Sequence, residues 1–129
     1  MIVIDSSALV AMLTDEATAS SCRTVFENEN LIYISAGTVL EALIVALRRG
    51  FYPQMQEILA SPGMVVVPVN AARAQLAASA YAKWGKGIHP AALNSGDCFA
   101  YAMAQEFDYP LLFIGDDFSR TDIKPAVAA

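Results

Sequence analysis

Apolar residues along the chain fall into two kinds of spacing. Short aliphatic blocks, Ile2-Val3-Ile4, Leu31-Ile32-Tyr33-Ile34, Met64-Val65-Val66-Val67 and Pro110-Leu111-Leu112-Phe113-Ile114, read as strands. Stiff, branched side chains suit a pleated surface covered on both faces. Between the blocks, apolar positions recur at helical spacing. Ala8, Leu9, Val10 and Leu13 follow the capping residues Ser6 and Ser7, and residues 17 to 28 carry Cys22, Val25 and Phe26. A third helix runs from Ser35 to about Arg49 and stops at Gly50. Residues 53 to 60 form a short helix before the turn Ser61-Pro62-Gly63, and Asn70 caps an alanine-rich helix to about Trp84. Gly85-Lys86-Gly87-Ile88-His89-Pro90 reads as the longest irregular piece. Asn94-Ser95-Gly96-Asp97 then opens a helix that turns Cys98, Tyr101, Ala102 and Phe107 inward. Strands alternating with helices, joined by connections long enough for crossovers, predict an α/β fold: one domain over residues 1–129, with a central parallel sheet of four to five strands and helices on both faces.

Composition narrows the class. At 129 residues and 56% hydrophobic content the chain can bury roughly two-thirds of its unfolded surface. No apolar run reaches the roughly 18 residues of a membrane span, and no basic region precedes the first apolar block, so a soluble cytoplasmic protein without a signal peptide is expected. Cys22 and Cys98 are too few for a disulfide framework, lack zinc-site neighbours, and are expected as buried small hydrophobes. A net charge of −5 argues against a surface that grips nucleic acid everywhere. Local contacts from Arg48-Arg49, Lys83 with Lys86, or Arg120 with Lys124 remain open, although cations at helix ends are ordinarily solvated. Tyr52, Tyr81 and Trp84 could stack on bases, but aromatic residues at helical spacing more often pack in a core or interface.

The candidate chemistry lies in the acids. Asp5 ends the first strand, and open parallel sheets bind ligands at the carboxyl ends of their strands. Glu41 in the helix after the second strand, Asp97 in the first turn of a late helix, and Asp116-Asp117 after the fourth strand occupy comparable places. Each has a plain alternative: Thr38 to Glu41 fits a capping box, Asp97 complements a helix N-terminus, and Asp116-Asp117 suits a polar turn. Together they are harder to dismiss, because lone buried acids are costly and clustered carboxylates would hold protons unless a divalent cation neutralised them. Oxygen donors without nearby His or Cys select Mg²⁺ or Mn²⁺ over zinc, and such a cation serves phosphodiester hydrolysis.

These segments resemble a known family. Ile2-Val3-Ile4-Asp5-Ser6-Ser7-Ala8, Ile34-Ser35-Ala36 leading to Leu40-Glu41-Ala42, Leu93-Asn94-Ser95-Gly96-Asp97-Cys98-Phe99-Ala100-Tyr101-Ala102, Leu111-Leu112-Phe113-Ile114-Gly115-Asp116-Asp117-Phe118 and Thr121-Asp122-Ile123 are similar to the successive motifs of PIN-domain ribonucleases of the VapC toxin type. The resemblance covers the whole chain. It implies a type II toxin: a Mg²⁺-dependent endoribonuclease, with Mn²⁺ able to substitute, that hydrolyses RNA of the tRNA or rRNA class by metal-activated water. It also implies a homodimer held inactive by a VapB-type antitoxin. By the same carry-over Asp5, Glu41 and Asp97 are catalytic, metal-site acids. Asp117 is the preferred fourth, aligned on the Asp-Phe pair, with Asp116 in reserve. Ser7 resembles the hydroxyl residue that supports the first acid, its plain alternative being a helix N-cap. His89, the only histidine, is expected at the surface and not as a general base. A haloacid-dehalogenase-like phosphatase also places an Asp after its first strand but needs a second two residues later, where Ser7 stands. A non-catalytic binding module with structural acids is the third reading.

Overall fold

Strand β1 (Ile2–Ile4) is an interior strand of a four-stranded sheet of order β3-β2-β1-β4, the others being β2 (Ile32–Ser35), β3 (Met64–Val67) and β4 (Leu111–Leu112). All pairs are parallel: Val3 stands opposite Tyr33 on one side and Leu111 on the other. Every strand therefore ends at the same edge, where the acids follow. The structure, a computed structural model, describes residues 1–17 and 19–127.

Although β1 is uniformly apolar, its pleat divides it between two cores. Ile2 and Ile4 join Ile32, Ile34 and Leu112 under α1 (Ser6–Leu13), α2 (Ala19–Asn28), α3 (Ala36–Arg49) and α4 (Tyr52–Leu59). Val3 and Leu111 face the other way, against α5 (Ala71–Trp84) and α6 (Ser95–Phe107). Val3, Ile4, Leu111 and Leu112 are wholly buried, each contributing about 1.5–3 kcal/mol by leaving water. Helices thus cover both faces, as the strand composition predicts. Cys22 and Cys98 are free and buried. Among the described residues no helix is long and apolar enough to cross a membrane.

Several boundaries differ from the sequence expectation. The second helix starts at Ala19, with the preceding expected residue 18 outside the described residues. β4 is only two residues long, because Phe113 and Ile114 leave the sheet toward Gly115, whose φ is +104°. Ser35 is both the last residue of β2 and the cap of α3, its hydroxyl accepting from Gly37 N at 3.2 Å. Thr38 lies inside α3 and is buried, so the expected Thr38–Glu41 capping box does not exist. The segment expected as irregular, 85–90, is pinned by a parallel bridge between Gly85 and Leu93. Lys86 N donates to Leu93 O and Leu93 N to Trp84 O, both at 3.0 Å. His89 is half-buried within that turn, its ring edge-on to Trp84 at 4.6 Å and its Nδ1 accepting from Ala91 N. The surface placement expected for it is corrected by that packing.

Candidate active site

Asp5 is built into the junction of β1 and α1. Its backbone N–H donates to Leu112 O at 3.0 Å, in line with the sheet, and its Oδ2 caps α1 by accepting from Ser7 N at 3.0 Å. The cap is thus the acid itself, and neither serine after it. Its other oxygen, Oδ1, is buried with no hydrogen-bond partner. Burial pushes its pKa up to about 7, the Ser7 hydrogen bonds opposing this and the charges of Asp97 and Glu41 adding to it.

Asp97 occupies the third position of α6. Asn94 and Asp97 form a reciprocal capping box: Asp97 N donates to Asn94 Oδ1 at 2.8 Å and Asn94 N to Asp97 Oδ2 at 3.0 Å. The helix-capping alternative is therefore real, but it uses one carboxylate oxygen and fixes the rotamer of the other. Burial raises the Asp97 pKa to about 6 against the Asn94 hydrogen bond, with the charges of Glu41 and Asp117 contributing further. Glu41 is thus felt by both Asp5 and Asp97, and Asp117 by Asp97.

Glu41, half-buried on the second turn of α3, accepts from Ser6 Oγ at 2.6 Å. Its carboxylate also presses on the first turn of α6, where Gly96 leaves room for it. Asp117 is exposed and starts the 3-10 turn Phe118–Arg120; Phe118 anchors that turn in the core against Phe113, ring centroids 5.2 Å apart. Asp116 is exposed too, and its backbone carbonyl accepts from Ser119 Oγ at 2.6 Å. Ser7 supports the site indirectly: its Oγ accepts from Ile114 N at 3.1 Å, tying α1 to the end of β4.

Ser6 and Gly96 are the residues that sequence reasoning missed. Ser6 and Ser7 look alike in sequence, and only the tertiary approach of α3 separates the one that meets Glu41 from the one that meets Ile114. Gly96 reads as a helix-opening residue until Glu41 is placed. Of the aromatic candidates, Trp84 is committed to the interior, its Nε1 donating to Tyr101 Oη at 2.9 Å, while Tyr81 is exposed and donates to Lys86 O. Arg48 and Arg49 lie at the C-terminus of α3, where cations oppose the helix dipole.

A parallel α/β sheet with carboxylates gathered at its carboxyl edge defines a class of acidic-site domains, and sequence comparison identifies the branch. Residues 2–124 match the family model described as PIN domain. A VapC ribonuclease of Mycobacterium bovis is 42% identical over 124 residues, covering 94% of this chain and 95% of the relative. Ribonuclease VapC of Mycolicibacterium smegmatis is 41% identical, covering 94% and 96%. Among solved structures, the Mycobacterium tuberculosis toxin VapC20, described as cleaving the sarcin-ricin loop, superposes with a TM-score of 0.78 at 15% identity, covering 95% of this chain and 96% of its own. A toxin-antitoxin complex from Klebsiella pneumoniae gives 0.72 at 15% identity, covering 100% and 97%. The chain belongs to the PIN domain family, among its VapC ribonucleases.

Proposed function

We propose that this chain is a divalent-metal-dependent endoribonuclease, the toxic component of a type II toxin-antitoxin module, working in the cytoplasm. The observation that carries the reading is the orphaned Asp5 Oδ1, a buried carboxyl oxygen with no partner, facing the field of two further acids. A buried carboxylate left so is costly unless a cation meets it. The donors are all oxygen, which fits Mg²⁺ or Mn²⁺. Among the described residues no group of three or more His, Cys, Asp or Glu side chains stands ready to hold a metal ion. Mg²⁺ suits such an open set, since it typically keeps several waters and takes one or two carboxylates.

In this reading Asp5, Asp97, Glu41 and Asp117 would hold the cation between them, directly or through its waters, and Asp116 stays outside. A bound divalent cation would lower the pKa of a water and offset charge developing on the scissile phosphate. The chain's own work is to orient. The α1 N-terminus and Ser7 fix Asp5, Asn94 fixes Asp97, and Ser6 holds one oxygen of Glu41 while leaving the other near Gly96. Asp117 is the member exposed to solvent, and so the one open to RNA in this reading. No histidine is needed, and His89 Nδ1 is already engaged by Ala91.

The remaining partners in this reading are a VapB-type antitoxin and a second copy of the chain. Both require apolar surface, and α3 presents Leu40, Ile44 and Leu47 along one stripe at 60%, 43% and 63% exposure. Purified protein should cut RNA with Mg²⁺ or Mn²⁺ and stop in chelator. Cleavage that continues in chelator, or that survives Asp5→Asn, would sink the proposal.

A further inference from the structure

The segments carrying Asp97 and Asp117 are fastened together away from the acids themselves. One turn along α6 from Asp97, the buried Tyr101 donates its hydroxyl hydrogen to Asp122 Oδ1 at 2.5 Å. The Tyr101 hydroxyl oxygen in turn accepts from Trp84 Nε1 at 2.9 Å and Gln105 Nε2 at 3.1 Å. One donor and both lone pairs are thereby used, so the hydroxyl has no alternative orientation that keeps its partners. Gln105 also donates to Asp122 Oδ1, at 3.2 Å.

Asp122 lies five residues beyond Asp117 on a tightly wound stretch. Thr121 Oγ1 donates to Phe118 O at 2.6 Å and accepts from Ile123 N at 3.2 Å. Movement at Asp122 is therefore passed back toward Asp117. Among the described residues no hydrogen bond fixes the Asp117 carboxylate, so its place depends on how this stretch is moored. Phe118 holds it from beneath, Arg120 NH1 reaches Pro90 O at 3.2 Å on one side, and Asp122 holds it to α6 on the other. Lys83 stands 4.0 Å from Asp122, but both side chains are more than half exposed, and such a pair is worth little.

We propose that Asp122, through its hydrogen bond from Tyr101, is a positioning residue for Asp117: it fastens the segment bearing that acid to the helix bearing Asp97 and so sets the spacing of the two. The proposal rests on the metal-dependent reading above. It assigns Asp122 a role as hydrogen-bond acceptor and none as a charge. Outer partners of this kind typically carry 10–100-fold in metal affinity or activity, and the present one, acting through a loop, is assigned the lower end.

Two measurements on purified protein without RNA test it. In Mn²⁺ titration calorimetry, Tyr101→Phe and Asp122→Ala should weaken affinity about tenfold, while Asp122→Asn, which keeps the acceptor oxygen, should bind as wild type. In an Asp117→Asn background, Tyr101→Phe should have no further effect. In hydrogen exchange without metal, amides 116–121 should exchange faster in Tyr101→Phe and Asp122→Ala than in wild type or Asp122→Asn, with α6 unchanged. Unchanged exchange in that segment, equal damage from Asp122→Asn and Asp122→Ala, or a full Tyr101→Phe effect without Asp117 would overturn the assignment. Wild-type protein that binds no Mn²⁺ would instead refute the metal reading, and the exchange result would still decide whether Asp122 moors the segment.

Discussion

Gly96 and Glu41 occupy adjoining space so closely that a β-carbon on residue 96 would stand 1.8 Å from Glu41 Oε2. No real contact survives at that distance, so any side chain at 96 must displace the carboxylate or push α6 away from α3. Gly96→Ala is expected to lower RNA cleavage by roughly 10–100-fold, the range for disturbing a ligand's support. Helical content should be kept, since Ala favours a helix more than Gly does. Single-turnover cleavage beside far-ultraviolet circular dichroism checks it, and full activity in the variant would show that Glu41 is dispensable.

Ser6 grips the other oxygen of Glu41. Ser6→Ala should cost about 1 kcal/mol in stability, because the half-buried carboxylate can turn to water. It should lower activity less than Glu41→Gln does. Denaturant melts and cleavage rates on the three proteins give the ranking, and a Ser6→Ala loss exceeding that of Glu41→Gln would contradict the supporting role.

The raised acids make metal-free stability depend on pH in an unusual direction. Unfolded, Asp5 and Asp97 titrate near about 3.9. Folded, they titrate near about 7 and about 6. Between those values the native state binds more protons than the unfolded one, so stability falls as pH rises from about 4 to about 7 and then levels off. The combined penalty above pH 7 has an upper bound of roughly 7 kcal/mol. Thermal melts in chelator across pH 4.5–8 should show the decline, and Mg²⁺ should raise the melting temperature far more at pH 8 than at pH 5. A flat profile in chelator would count against burial of the ionised carboxylates.

Asp5→Asn follows from the same argument with an opposite pair of effects. Asn caps a helix about as well as Asp, so α1 keeps its start, while the buried charge disappears. In chelator at pH 8 the variant should melt above wild type, and with Mg²⁺ restored it should still cleave no RNA. A variant that is both inactive and less stable would mean that Asp5 serves the fold.

Asp117 and Asp116 are adjacent, and only the former is felt by Asp97. Asp117→Asn should reduce cleavage by about 10–100-fold, whereas Asp116→Asn should leave it within a few-fold, since the backbone carbonyl of residue 116 is what binds Ser119. Parallel rates for the two variants under saturating Mg²⁺ decide the order.

The sheet was legible in sequence because β1 and β3 are uninterrupted aliphatic blocks and β2 is apolar up to its last residue, Ser35, so that alternate positions can enter two cores. The acids were legible as a set because Asp5 abuts a buried strand while Glu41 and Asp97 lie inside otherwise apolar segments. What sequence left open was set by contacts between distant elements. Thr38 and Glu41 have capping-box spacing, but Ser35, at the end of the paired β2, starts the helix first. Ser6 and Ser7 differ only in which element reaches them, α3 or β4. The segment after Trp84 is glycine-rich and reads as loose, yet Ala91 and Leu93 bury completely and hold it.

The register of the final strand has a consequence for synthesis. β4 pairs with β1 across more than a hundred residues of chain, Val3 meeting Leu111. Chains emerge and fold from the N-terminus. Until roughly the last seventh of the sequence is translated, Asp5 lacks the backbone partner at Leu112, and the segment bearing Asp116 and Asp117 does not exist. In the metal-dependent reading, the four acids therefore cannot be assembled before the last strand is seated beside β1.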